Sequence, residues 1–563
     1  MIDRPRTSLT PRFALVACVY VLAAATILAW LWWSGRPVPL SSVAGGRVQC
    51  LSYSPPHADP AEAKVIPLAR IRADLEHLAA YTKCVRTYSV YNGLDQVPEV
   101  ARALELKVML GIWIGEDKKQ NDWEVRRALE LAYSHHDVIE SIVVGNEVLL
   151  RREQTPAALK QYIHRVRTAT DLPITYADVW EFWERNPEVA QDVSFVTVHM
   201  LPYWEDFPVA IDHAVPHIGR VLQHMQRVFP RHPVVIGEAG WPSTGRQRAG
   251  AVPSRVNQAR FFREFTRYAD QHGVQYNFIE AFDQPWKRTL EGTVGGAWGL
   301  FDTHSRLKFP LQGAVENNPR WRVPVSAAFI AAVSVLVVCA WCWRRQRAWL
   351  AVIVAALAAA SGAAIAVLQW EYLLVANRDT WEWLGSVAWF AGGWSVYVCA
   401  TGLILRAMRN RTAAEPVASA AMTIVNEEQR WAVGQRARTL LSFGRMIFLF
   451  GLAYLGLLLT MDPRYRDFPL IAAILPAMTL WLHSLLVPAN ARAGQPFEEL
   501  LLACWLVVAS VWVAIAEGFE NLESLAWCGV CLLVALTVLW THWRSSEREG
   551  AAEQAQRGEL DPI

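Results

Sequence analysis

Val143-Val144-Gly145-Asn146-Glu147 and Val234-Val235-Ile236-Gly237-Glu238-Ala239-Gly240-Trp241-Pro242-Ser243 decide the fold of this 563-residue chain. Each is a run of β-branched residues that stops at a glutamate, the pattern of a buried strand carrying a carboxylate at its C-terminal end. A parallel β/α barrel presents catalytic acids in this way. The interval from 147 to 238 is close to three βα units of about 31 residues each. Glu147 and Glu238 are therefore expected on one rim, three strands apart. Two carboxylates across a pocket are the groups that glycosidic bond cleavage uses.

Outward from these motifs, candidate strands alternate with amphipathic runs in βα order. The strands are expected at 48–53, 84–88, 107–114, 139–144, 174–177, 195–199, 234–237 and 276–282, which puts Glu147 after the fourth and Glu238 after the seventh. Runs such as 71–80 and 257–272 carry apolar residues at helical spacing between them. The expected architecture is α/β: a (β/α)8 TIM barrel over 45–322, followed by an all-α polytopic transmembrane domain over 323–543.

The membrane assignment comes from hydropathy. A run at 13–33 is long enough to span a bilayer, with Arg4, Arg6 and Arg12 before it and Trp30, Trp32 and Trp33 at its far end. A retained anchor over 1–44 is favoured over a cleaved signal peptide, because the run is long and shows no obvious cleavage site. Seven more spans are drawn at 325–343, 349–368, 384–405, 441–460, 468–487, 500–516 and 525–543, the fifth and seventh of the eight being the weakest, with totals of six or seven as the alternatives. Arg344, Arg345, Arg347, Arg406, Arg409, Arg411, Arg492, Arg544 and Arg548 fall on one side of this topology. Glu371, Asp379, Glu382, Glu517, Glu520 and Glu523 fall on the other. The positive-inside rule then places both termini, the 406–440 loop and the 544–563 tail in the cytoplasm, and the barrel outside. His483 and Pro476 sit in the sixth span and are read as packing features.

The net charge of +2 argues against a nucleic-acid partner. Seven of the nine cysteines lie in apolar spans; Cys50 and Cys84 lie on the first two strands, where a disulfide and two buried thiols are both open. No Cys/His spacing suggests a metal, and no cofactor is expected.

Four ordered motifs carry a resemblance that covers roughly residues 47–310. They are Val144-Gly145-Asn146-Glu147, the run 237–243, Glu280-Ala281-Phe282-Asp283-Gln284-Pro285-Trp286-Lys287, and Gly295-Gly296-Ala297-Trp298-Gly299-Leu300-Phe301. With them the domain resembles family 17 glycoside hydrolases, the β-1,3-glucanase family. Ala239 stands where threonine is common. The run His199-Met200-Leu201-Pro202-Tyr203-Trp204-Glu205 is more similar to the bacterial membrane-bound branch, some of whose members transfer glucan pieces during periplasmic or exported β-glucan assembly.

The resemblance implies Glu147 as general acid/base and Glu238 as nucleophile of a retaining mechanism, with ionised Glu238 raising the pKa of Glu147. Asn146 is expected to bond the sugar 2-hydroxyl, against an ordinary strand-end turn; Tyr203 to hydrogen-bond Glu238, against structural packing; and Arg86 to pair with Glu238 and keep it ionised, against a plain buried salt bridge. Glu280, Asp283 and Lys287 are candidates for sugar hydroxyls, against an ordinary solvated loop. Trp204, Trp286 and Trp298 are candidates for stacking on pyranose faces, against core packing.

The expected function is a β-1,3-glucanosyltransferase of the bacterial inner membrane with a periplasmic barrel, whose partners are β-1,3-glucan, the bilayer and a glucan synthase or export complex. A hydrolase of the same glucan is the first alternative, and a non-catalytic export scaffold is an alternative of another class.

Overall fold

The computed structural model describes residues 10–56, 58, 59, 62, 64–342, 348–425, 435–488 and 497–559. They form two compact units, Pro37–Asn317 and a second built from the segments on either side of it.

In the first unit eight parallel strands follow chain order and close on themselves. They are β1 (Val48–Ser52), β2 (Thr82–Arg86), β3 (Lys107–Ile112), β4 (Ile139–Asn146), β5 (Ile174–Val179), β6 (Val196–Met200), β7 (Val234–Ala239) and β8 (Tyr276–Phe278). Leu51 opposite Phe278 completes the ring. Every residue of β6 is buried, as a parallel sheet covered on both faces requires. Helices such as Lys118–Ser134 and Arg255–His272 return the chain along the outside. Asp117 and Ser254 accept from the first free amides of these two helices, groups that have no partner within a helix.

All eight expected strands are present, with three differences that matter at the rim. β4 runs on to Asn146 and β7 to Ala239, which carries both glutamates to the mouth. β8 ends early, so Glu280 already lies in the loop. The β6–β7 register shifts between Val198 and His199, leaving His199 opposite Glu238.

Cys50 and Cys84 are Cα partners on β1 and β2, 4.4 Å apart, and form a disulfide. Of the two alternatives open from the sequence, the structure takes the bonded one.

The second unit is all helical. Its apolar helices are Thr10–Ser34, Arg322–Cys342, Trp349–Ala376, Thr380–Asn410, Arg436–Met461, Leu470–Leu486, Phe497–Glu517 and Leu522–Glu559. Seven are long and apolar enough to cross a membrane, by length and composition. The two spans expected to be weakest form helices of 26 and 21 residues. The short one is the sixth, with 17 residues and Pro476 inside it.

Some interior polar groups in this unit are tied to partners. Gln369 donates to the Ile471 carbonyl at 2.9 Å and accepts from Trp394 Nε1 at 2.8 Å. Tyr20 and Thr401 share a hydrogen bond of 2.8 Å. His483 is buried, consistent with a packing role. Arg4, Arg6, Arg344, Arg345, Arg347 and Arg492 lie outside the described residues, as do 426–434 of the charged linker; the side chain of Arg548 lies outside them too.

The Cys50–Cys84 bond closes a loop with a sequence separation of 34. Replacing both residues by serine is expected to lower barrel stability by roughly 3–4 kcal/mol. Thermal unfolding of the variant measures the loss, and non-reducing peptide mass spectrometry checks the bond itself.

Candidate active site

The site is assembled around Arg86, the last residue of β2, which is fully buried. Its Nη1 donates to the Gly237 carbonyl at 2.8 Å and to Glu238 Oε1 at 3.1 Å, and its Nη2 donates to Asn146 Oδ1 at 2.5 Å. One guanidinium thus links β2, β4 and β7. A buried charge is stable only when paired and hydrogen-bonded, and Glu238, whose side chain is 4% exposed, supplies the counter-charge.

Glu238 Oε1 also accepts from Tyr88 Oη at 2.9 Å. Burial, with the Glu238 charge next, pushes the Tyr88 phenol well above its ordinary range, so it remains a donor. Among the described residues no hydrogen bond reaches Oε2. Asn146, with its Oδ1 committed to Arg86, presents its amide nitrogen as a donor.

Glu147 follows β4 immediately. It adopts φ 52°, and Gly145 two residues earlier adopts φ 86°. A non-glycine residue in the left-handed region is uncommon and costs about 1–3 kcal/mol; this turn sends the carboxyl across the mouth of the barrel. The Glu147 side chain is 24% exposed, and its Oε1 lies 2.9 Å from His199 Nδ1. Donor atoms of Glu147, His199 and Glu238 all lie within 4.8 Å of one another. That spacing suits a retaining pair, whose carboxyls stand about 5–5.5 Å apart, rather than an inverting pair at about 6.5–9.5 Å. The Arg86 guanidinium already supplies positive charge here, which fits an acid–base cluster better than a cation cradle.

The expectation that Glu238 raises the pKa of Glu147 is corrected. Burial does push Glu147 upward, but the hydrogen bond and charge of His199, with Arg151 and Arg86, more than offset it. The carboxyl of the free site is held below its ordinary range. The neighbouring carboxyl is the raised one: burial, with Glu147 adding to it, pushes Asp178 up to about 6. Asp178 accepts from the Tyr176 hydroxyl and from the Val179 amide.

Beyond β8, Lys287 Nζ lies 2.6 Å from Glu280 Oε2. Burial pushes Glu280 up to about 7 against the pull of Lys287. Glu280 Oε1 is buried with no hydrogen-bond partner among the described residues. Asp283 instead pins the barrel, pairing with Lys308 at 2.8 Å and accepting from the Gly299 amide. Trp286 is partly exposed, its Nε1 tied to Gln284 at 2.9 Å. Trp204 is also partly exposed and stacks on Trp298, which is 1% exposed. Trp298 is thus core packing beneath Trp204 and not a sugar platform.

Tyr203 requires a second correction. Its single hydroxyl proton goes to the Arg246 carbonyl at 2.8 Å, and its buried ring packs edge-on to Trp204, Trp241 and Trp298. The phenol that donates to Glu238 is that of Tyr88. Tyr88, His199 and Asp178 were all missed as site residues. The available signal was position: each lies at or just beyond the C-terminal end of a barrel strand, where polar residues face the site.

Residues 50–299 match the BtgE/BtgC glycoside hydrolase domain. The probable glucan endo-1,3-beta-glucosidase btgC of Aspergillus fumigatus is 27% identical over 259 residues, covering 40% of this chain. The chain spans only 36% of that relative's length. The glucan 1,3-beta-glucosidase of Schizosaccharomyces pombe is 27% identical over 256 residues, 42% of this chain and 79% of that protein. Among solved structures, a glycoside hydrolase family 17 beta-1,3-glucanosyltransferase from Rhizomucor miehei aligns at TM-score 0.42 and 24% identity, over 47% of this chain and 97% of its own.

Arg86→Lys keeps the charge but cannot hold Gly237, Glu238 and Asn146 together. It is expected to lower kcat on a glucan substrate by roughly 10²-fold through misplacement of the nucleophile, with circular dichroism unchanged. Steady-state kinetics of the variant check this.

Proposed function

We propose that this chain is a membrane-anchored, retaining enzyme that acts on β-1,3-glucan and passes a glucan piece to an acceptor sugar. The observation that carries the reading is the pair of carboxyls at the ends of β4 and β7, with donor atoms within 4.8 Å. The match of residues 50–299 to a glycoside hydrolase domain supports it, as do the names of the curated relatives. Glu238 Oε2 attacks the anomeric carbon while Glu147 protonates the leaving oxygen. Glu147, then ionised, takes the proton of the acceptor hydroxyl as the ester on Glu238 is cleaved. Asn146 serves the 2-hydroxyl, Glu280 and Lys287 serve other hydroxyls, and Trp204 and Trp286 offer ring faces.

Seven apolar helices of spanning length and the arginine-rich loops on one side support a multi-pass protein of the bacterial inner membrane, with the barrel in the periplasm and both termini in the cytoplasm. Glucan then meets the enzyme on the exported side, next to a glucan synthase or export complex. Hydrolysis of the same glucan is the second reading, favoured by relatives named as glucosidases. The two readings share the covalent intermediate and differ in whether water or a sugar reaches it.

The full-length chain in detergent, incubated with reduced laminari-oligosaccharides and followed by mass spectrometry, is expected to yield products longer than the substrate, and Glu238→Gln to abolish them. Only shorter products would establish the hydrolase. No turnover of any laminari-oligosaccharide would overturn the enzymatic reading in favour of a glucan-binding scaffold.

A further inference from the structure

An imidazole stands between the two carboxyls. His199, on β6, is 1% exposed. Its Nδ1 is 2.9 Å from Glu147 Oε1 and its Nε2 is 3.7 Å from Glu238 Oε1. The space for the ring is built into the barrel. A Cβ at Gly237 would stand 3.0 Å from His199 Cδ2, 3.2 Å from Nε2 and 2.4 Å from Thr197 Cγ2. The register shift between β6 and β7 sets the ring opposite Glu238. Buried Nε2 makes no hydrogen bond among the described residues, and it faces Glu238 Oε1.

We propose that His199 is a positioning residue that holds the catalytic proton for Glu147 until substrate covers the site. The inference rests on the retaining-enzyme reading above. The charged groups around the ring are Glu147 past β4, Asp178 on β5, Glu238 on β7 and, bound to Glu238, Arg86 on β2. Arg151 also faces Glu147; on this proposal Nδ1 carries the proton in the open, watered site, against an ionised Glu147. The depressed carboxyl of Glu147 agrees with that state.

A sugar in the cleft expels water, and a drier site favours the neutral pair over the ion pair. Nδ1 then gives its proton to Glu147 Oε1 and keeps the electron pair of the broken N–H bond. The proton on Nε2 stays, because the Glu238 carboxylate faces it and so selects the tautomer. Glu147 passes its proton to the glycosidic oxygen as the bond from that oxygen to the anomeric carbon breaks, its electron pair remaining on the oxygen. A lone pair of Glu238 Oε2 forms the new bond to the anomeric carbon. In the second half the acceptor hydroxyl returns a proton to Glu147, and product release restores it to Nδ1.

The role is separable from plain structural support by leaving-group chemistry. Laminaritetraose departs as an alkoxide that needs a proton, whereas 2,4-dinitrophenyl β-laminaribioside departs as a stable phenolate that does not. In the full-length chain, His199→Gln and His199→Asn are expected to lose roughly 10²-fold in kcat/KM on laminaritetraose but no more than about threefold on the aryl glycoside. Equal losses on both substrates, in a variant whose circular dichroism and melting match the unaltered protein, would overturn the proposal. The two variants differ in shape, so whichever one folds carries the comparison. An unaltered chain that cleaves neither substrate would instead overturn the enzymatic reading, and the role of His199 with it.

Discussion

The site depends on one buried cation. Arg86 has no water to solvate it, and its three hydrogen bonds go to groups on β4 and β7. A guanidinium is suited to this because its donors are fixed in a plane and it stays charged. Bonding to Gly237 and Glu238 together fixes the nucleophile relative to its own strand. Bonding to Asn146 fixes the residue just before the acid. One side chain from a third strand thus ties together the strand ends from which the two carboxyls project, and the turn at Glu147 aims the second of them. Breaking such a buried pair typically costs about 3–5 kcal/mol, because the remaining charge is left without a partner.

Much of this was legible in the sequence because barrel strands have a strong signature. Runs such as Val143-Val144 and Val234-Val235-Ile236 are too apolar and β-branched to be surface strands, and βα spacing then puts their terminal glutamates on one face. Arg86 was legible as a charged residue within the expected second strand, where a buried cation needs a carboxylate partner. What failed was the assignment of partners across strands. Tyr203 and Tyr88 both follow barrel strands by a few residues, and no local pattern says which hydroxyl reaches Glu238; the turn after each strand decides it. The expected rise of the Glu147 pKa failed because it considered one neighbour, when His199, Arg151 and Arg86 also face that carboxyl. His199 was quoted within a motif yet left without a role, since a buried histidine on a strand is more often packing.

In the helical unit, hydropathy found each apolar helix but ranked them poorly. The sixth helix has the highest mean apolarity of any late segment and is nonetheless the shortest, because Pro469 precedes it and Val487 turns extended after it. Composition reports whether a segment suits lipid; length is decided by what terminates it. Its burial is also informative: Ala473, Ala477, Leu482 and Leu486 are buried among other helices, so its apolarity serves packing inside the bundle as much as contact with lipid.

Several charges in the cleft are paired, although Asp178 has only the Tyr176 hydroxyl and the Val179 amide as hydrogen-bond partners among the described residues. Glu238 is matched by Arg86, Glu280 by Lys287, and Asp283 by Lys308, while Glu147 bonds His199. A site that selected an anion or a cation would leave one sign unmatched to draw its ligand in. Pairing weakens the long-range field but leaves hydrogen-bonding capacity at the site, such as the Asn146 amide. A neutral chain of sugar hydroxyls, each a donor and an acceptor at once, is the ligand such a surface fits. The partly exposed rings of Trp204 and Trp286 add flat apolar surface of the kind that suits pyranose rings, with Arg248 and Lys287 lying over them. On the proposed reading, this balance of charges suits a neutral glucan independently of Glu147 and Glu238.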